Sequence, residues 1–330
     1  MGAILHRRQV LAMMVAGAVG LGGLPTAMRA AAQTAAAARG VTPGPGENEL
    51  TVTHFQGETV VPRNPEVVLS FDVASIDTLQ SLGVRVDGMP ELTTGADRYA
   101  AEDAITIGSL FEPDYEAVNA AEPDLIIVAG RSSEAYGELS KIAPTIDLTF
   151  SGQNFLDDFR ANVTILAEIF GKRAEAEAIL ADIDARIEAL REHTATIGTG
   201  LVIMTTGGSV TALAPGSARA GRGALIYETL GVRPPLEDIE EATHGEPISF
   251  EFLLEHDPDW LFVIDRDAAT GEEGGQPAEQ VLDNDLVHQT TAWRQDQIVY
   301  LDPFDWYIIT GAGLDSMQRM LDELEAAFGL

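Results

Sequence analysis

Two side chains have the makings of metal chemistry. Tyr307 lies in LDPFDWYIITGAG, beside Trp306 and between a Pro turn and a Gly-rich turn. A Tyr after a final strand ordinarily packs half-buried with its hydroxyl satisfied. The chemical option is a phenolate, because a hard trivalent cation prefers oxygen donors and deprotonates a phenol whose free pKa is about 10. His244 lies in EATHGEPISFEFL, in a loop that precedes a helix. Loops carry function more often than helix faces do, while a solvated surface imidazole is the plainer alternative. The other histidines, His6, His54, His193, His256 and His288, are scattered, with no pair at zinc-ligand spacing. The chain has no cysteine, which excludes disulfides, thiolate metal sites and thiol catalysis. It also lacks a GxSxG elbow, an HExxH helix and a GxxxxGK[ST] loop. A binding protein is therefore expected rather than an enzyme.

The elements that must position these residues alternate. VVLSFD, DLIIVAG and TIDLTF read as buried strands of the first half, with a helix through IDTLQSLGV. Ala176, Ile179, Leu180, Ile183, Ile187 and Leu190 then follow helical spacing, marking one long helix. Strands LVIMTT, DWLFVID and QIVYLD follow, with a helix at ALIYETLGV and an amphipathic helix at the C-terminus. The pattern predicts an α/β protein: two lobes with mainly parallel sheets and one long α-helix between them, either a plain core helix or a stiff link that joins the lobes and limits hinge motion. The boundaries are 48–154 for the first lobe, 155–196 for the helical region and 197–330 for the second lobe. An internal echo supports two related lobes. Glu116 stands seven residues before Pro123-Asp124 and an apolar strand, and Glu251 stands seven before Pro258-Asp259 and another. Clefts between lobes are favoured ligand sites.

The first 32 residues read as a signal peptide of the twin-arginine type. Arg7 and Arg8 precede a Gly-rich apolar run, Val10 to Leu24, too short for a membrane span of roughly 20 residues. Residues 33–47 are small and rich in Pro and Gly, the composition of a flexible linker. Without Cys there is no lipid anchor, so a free periplasmic protein is expected. The formal charge is −32, with 18 Arg and 2 Lys, and loss of the leader with its three Arg takes it to −35. Such a surface does not bind nucleic acid, whose phosphates require a basic face.

HFQGETVVPRNPEVVLSFD, IGSLFEPDYEAVNAAEPDLIIVAGR, GRGALIYETLGV, THGEPISFEFLLEHDPDWLFVIDRDAA and VYLDPFDWYIITGAGLDS occur in that order. Together they make residues 48–330 resemble the iron-siderophore substrate-binding proteins of ABC importers, in particular the ferric catecholate subgroup. The resemblance implies a monomer with no intrinsic cofactor, whose partners are a ferric siderophore and the importer's permease and ATPase. It implies that His244 and Tyr307 complete the coordination of Fe(III), with Trp306 as a wall. It implies three cleft cations, Arg131, Arg222 and Arg266. Because the subgroup reads Ser-Arg-Phe-Gly where this chain reads SARAGRG, Arg219 competes with Arg222. It implies docking to the permease through Glu116 and Glu251. An acidic protein needs cationic groups in the cleft to hold a ferric catecholate, and the guanidinium fork matches paired oxygens. The alternatives within binding are haem, cobalamin or a hydroxamate siderophore; from another class, an exported metal-dependent hydrolase.

Overall fold

A computed structural model describes residues 39–99, 104–152, 154–215, 222–236, 245–272, 274–309 and 311–330. The leader, the first part of the linker, Arg219 and His244 lie outside the described residues.

A small antiparallel sheet comes first, with β1 (Gly40–Pro43), β2 (Glu49–His54) and β3 (Gly57–Pro62). β1 departs from the expected linker. Gly44 N donates to Glu49 O (3.0 Å), and Glu49 folds its carboxylate back onto Gly46 N (2.9 Å), so the PGPG stretch closes a hairpin. Arg39 anchors its start through Asn162 (3.1 Å) and the Thr149 carbonyl.

The first lobe's main sheet holds β4 (Val68–Ser70), β5 (Gly88–Met89), β6 (Ile105–Thr106), β7 (Leu125–Val128) and β8 (Thr145–Asp147) in the order β6-β5-β4-β7-β8, all parallel. Its helices are α1 (Val73–Ser81), α2 (Tyr115–Ala120) and α3 (Tyr136–Leu139). Then come α4 (Phe155–Ile169) and the long α5 (Arg173–Thr194), where the 3.6-residue pattern predicts it. The second lobe's sheet holds β9 (Gly200–Thr206), β10 (Ser209–Ala212), β11 (Glu246–Ile248), β12 (Trp260–Asp265) and β13 (Ile298–Leu301) in the order β11-β10-β9-β12-β13. Only β9-β12 and β12-β13 pair in parallel here; β10 and β11 add an antiparallel edge. The helices α6 (Phe250–His256), α7 (Arg266–Thr270), α8 (Ala278–Leu282), α9 (Thr291–Arg294) and α10 (Leu314–Phe328) complete the chain.

The internal echo has a physical basis. Asp124 accepts the backbone N–H groups of Glu66 and Val67 (2.9 Å each), just before β4. Asp259 does the same for Thr199 N (2.7 Å), just before β9. Each Pro-Asp turn thus pins the start of the neighbouring central strand.

Strand alternation divides the core. Leu125 and Ile127 of β7, Val202 and Met204 of β9, and Phe262 and Ile264 of β12 join one central cluster shared with α4, α5 and α10. The intervening residues of those strands pack into separate outer clusters. The central core therefore runs continuously from one lobe to the other. α10 adds a second tie, since it packs on both α1 and α5. Ser316 N donates to the buried Asp77 of α1 (2.8 Å), and Arg186 of α5 reaches Glu325 (2.8 Å).

Candidate functional site

Tyr307, Arg131, Arg222 and Arg266 come together between the sheets. Arg131 follows β7, Arg266 opens α7 directly after β12, and Tyr307 follows β13. All three lie at the carboxyl ends of parallel strands, where open α/β sheets bind ligands. Tyr307 sits on a π-helical turn, Phe304–Ile308, closed by Ile309 N to Phe304 O (3.0 Å). A second such turn, Leu225–Thr229, follows Arg222 where the sequence pattern predicts a helix. Turns of this kind concentrate at functional sites.

The guanidinium carbons of Arg222, Arg266 and Arg131 lie 4.3, 5.8 and 5.9 Å from the centre of the Tyr307 ring. Arg222 is the deepest of the three, only 7% exposed. Burial pulls its guanidinium below the ordinary range, and Tyr307 opposes the shift. Burial likewise lowers Arg131, with Tyr307 and Asp72 countering. Arg266 moves the other way, raised first by its hydrogen bond to Tyr307. Its Nε donates to the phenol oxygen at 2.9 Å, and its side chain stays 31% exposed. Arg131 crosses between the lobes and donates to the carbonyls of Ile308 (2.7 Å) and Tyr307 (2.8 Å). Asp265 sets Arg266 by capping α7 through Ala268 N (2.9 Å).

A cavity of about 320 Å³ opens over this group. Its second-lobe wall is Arg266, Thr270, Tyr307 and Ile308, and its first-lobe wall is residues 91–94, 109–111 and Arg131. Trp306 is not part of the lining. Its indole is 1% exposed and donates from Nε1 to Glu323 of α10 at 2.8 Å. Adjacent residues of a helical turn point about 100° apart, so Tyr307 faces the cleft while Trp306 faces the core.

Several residues that hold the site escape the sequence analysis. Asp305, 2% exposed, is clamped by Arg319 (2.8 Å) and by Arg98 of the first lobe (3.0 Å). Arg98 also reaches Asp302 (2.8 Å), and its guanidinium covers Phe304 at 4.9 Å. The same segment of chain bonds to α7, through Thr93 to Thr270 O (3.2 Å) and Thr94 to Ala269 O (2.6 Å). Residues 93–98 thus form a strap that grips the elements bearing both Arg266 and Tyr307. Gly95 makes it possible, because its φ of +63° is left-handed and a Cβ there would collide with the Phe304 ring. The one sequence signal for this clamp was the pair Asp302 and Asp305, immediately ahead of the aromatic pair.

Glu116 and Glu251 are not part of the cavity lining, and each is exposed in the first turn of its helix, α2 or α6. Among the described residues, no helix is long and apolar enough to cross a membrane.

Residues 68–304 match the family described as periplasmic binding protein. The chain belongs to that family. Relatives of this periplasmic binding protein include the petrobactin-binding protein YclQ of Bacillus subtilis, 37% identical over 84% of this chain and 88% of that one. The YclQ crystal structure superposes with a TM-score of 0.80, covering 86% of this chain and all of the other. The ferric-anguibactin-binding protein FatB of Vibrio anguillarum is 32% identical over 85% of this chain and 88% of its own. The crystal structure of the periplasmic catecholate-siderophore binding protein VctP of Vibrio cholerae is 30% identical, with a TM-score of 0.77 over 84% of this chain and 99% of that one.

Proposed function

We propose that this protein captures a ferric siderophore of the catecholate class between its lobes and delivers it to an ABC importer. The observation that carries this reading is three guanidinium groups gathered around one tyrosine ring, in a chain whose net charge is −32. Concentrating cations against such a background serves an anionic ligand, and a planar fork suits paired phenolate oxygens. Relatives that bind petrobactin and catecholate siderophores support the class.

A tetradentate chelate leaves two iron positions open. Tyr307 supplies an oxygen for one and His244 a nitrogen for the other. A hexadentate chelate needs neither, and the arginines then do the work. The protein is exported to the periplasm by the twin-arginine route. Glu116 and Glu251, exposed at equivalent places in the two lobes, engage the permease. Binding, not turnover, is its activity.

The test is a titration of the protein without its leader, following tryptophan fluorescence and visible absorbance. The ligands are ferric complexes of a tetradentate catecholate, a hexadentate catecholate and a hydroxamate. Tight binding of the tetradentate complex is expected, with the Tyr307→Phe variant binding about tenfold or more weakly and showing a shifted charge-transfer band. Failure of every ferric catecholate to bind overturns the reading, and an unchanged band in the variant with the tetradentate complex removes Tyr307 from the iron.

A further inference from the structure

The arginines and Tyr307 account for the charged side of the cavity but not for its opposite lip, where Phe111 stands. Phe111 is 64% exposed, and among the described residues no large hydrophobic side chain is more so. An exposed ring of this size forgoes the gain of burial, so its presentation calls for a reason.

The loop that carries it is built to hold it out. Ser109 N donates to Glu112 O (2.9 Å), and Ser109 Oγ accepts from Phe111 N (3.2 Å) and Glu112 N (3.0 Å). Gly108 bridges to Pro113 at the base. Its φ is +112°, and a Cβ there would strike the backbone of Glu112 and Asp114. The loop is therefore a closed, glycine-dependent staple, and Phe111 is its outermost ring. Phe111 also lines the same cavity, on the first-lobe wall that carries Arg131, with Arg266 and Tyr307 on the second-lobe wall.

We infer that Phe111 selects for aromatic iron chelates, by packing on the ligand's ring while the guanidinium groups hold its anionic oxygens. This rests on the ferric catecholate reading above and assigns part of its selectivity to one residue. A site with a cationic wall and an aromatic lip favours a ligand that is both anionic and aromatic. A ferric citrate complex offers the charge without the ring and gains nothing from Phe111. Aromatic pairs add modestly beyond their buried area, so the expected contribution is selectivity of about tenfold rather than binding outright.

The experiment compares wild type with Phe111→Ala, Phe111→Leu and Phe111→Tyr, using a ferric catecholate complex and ferric citrate. Phe111→Ala is expected to weaken the catecholate about tenfold and leave ferric citrate unchanged. Phe111→Tyr is expected to restore catecholate affinity, and Phe111→Leu to fall short of it. Thermal unfolding of all four proteins should coincide, since the ring is mostly in solvent. Catecholate affinity that ignores Phe111→Ala overturns the inference alone, and if iron uptake nevertheless falls, the ring belongs to a protein contact instead. Equal losses for catecholate and citrate also overturn it. A wild type that binds no ferric catecholate overturns both this inference and the reading beneath it.

Discussion

Tyr307 is fixed from four sides: Arg266 holds its hydroxyl, Arg131 its carbonyl, Asp305 its turn, and the neighbouring Trp306 is bound to Glu323. Glu323 has a consequence of its own. Burial first, then the nearby Asp302 and Asp305, push its carboxyl from 4.5 to about 7, against the hydrogen bonds from Trp306 and Asp302. Asp72, buried at the N-cap of α1, is raised by burial to about 6. In both cases the folded protein retains a proton that the unfolded chain releases. Their effect is therefore a loss of stability as pH rises from the ordinary carboxylate range through about 7. The urea midpoint is expected to fall across that window, and Glu323→Gln to flatten the fall. A variant with the wild-type pH profile would remove Glu323 from the account. At this scale the sequence disclosed the residue types better than their directions. Tyr307 and Trp306 are neighbours in the chain, but the turn sends one ring to the cleft and the other to the core.

The strap and α10 converge on the buried Asp305, and α10 also serves the buried Asp77. Arg319 serves both Asp77 (3.0 Å) and Asp305 (2.8 Å), while Arg98 serves only Asp305 of the two. Removing Arg319 takes the arginine from Asp77 and leaves Asp305 with Arg98 alone, so Arg319→Ala is expected to cost about 3 kcal/mol, the low end for a broken buried pair because the Arg319 side chain is 38% exposed. Arg98→Ala leaves Asp305 its other partner and should cost less, about 1–2 kcal/mol. Equilibrium urea unfolding measures both, and equal effects would mean that the two arginines do not share the load as the contacts suggest. The long helix and the strands β4, β7, β9 and β12 are legible because their apolar spacing is local. The two-residue strands β5 and β6 carry no such pattern, and Asp77 and Arg319 are 242 residues apart. Side-chain partners at that separation leave no periodic trace.

Taken whole, the molecule sets a strongly acidic exterior against a small cationic cleft. Beyond a few ångströms an anionic chelate feels the net charge of −32 more than the three arginines. Screening shortens that reach, from a Debye length of about 30 Å at 0.01 M salt to about 8 Å at 0.15 M. The association rate of an anionic ferric complex is therefore expected to rise with moderate salt. Stopped-flow quenching measures it, and a rate that falls with salt would show that the cleft cations govern the approach. The two-lobe α/β architecture was legible from alternation and the Pro-Asp echo. The antiparallel edge of the second sheet was not, because β10 and β11 are short and far apart in sequence.

The seating of α10 on α1 bears on the order in which the protein can be made. Asp77 belongs to the first lobe, yet the Ser316 amide and the Arg319 guanidinium that bind it come 239 and 242 residues later in the chain. Until α10 has been made, Asp77 has the Tyr99 hydroxyl (3.0 Å) but neither that amide nor that guanidinium. The leading lobe therefore matures only once α10 has been made. A premature stop near residue 313 would damage the half of the protein that was already complete in sequence.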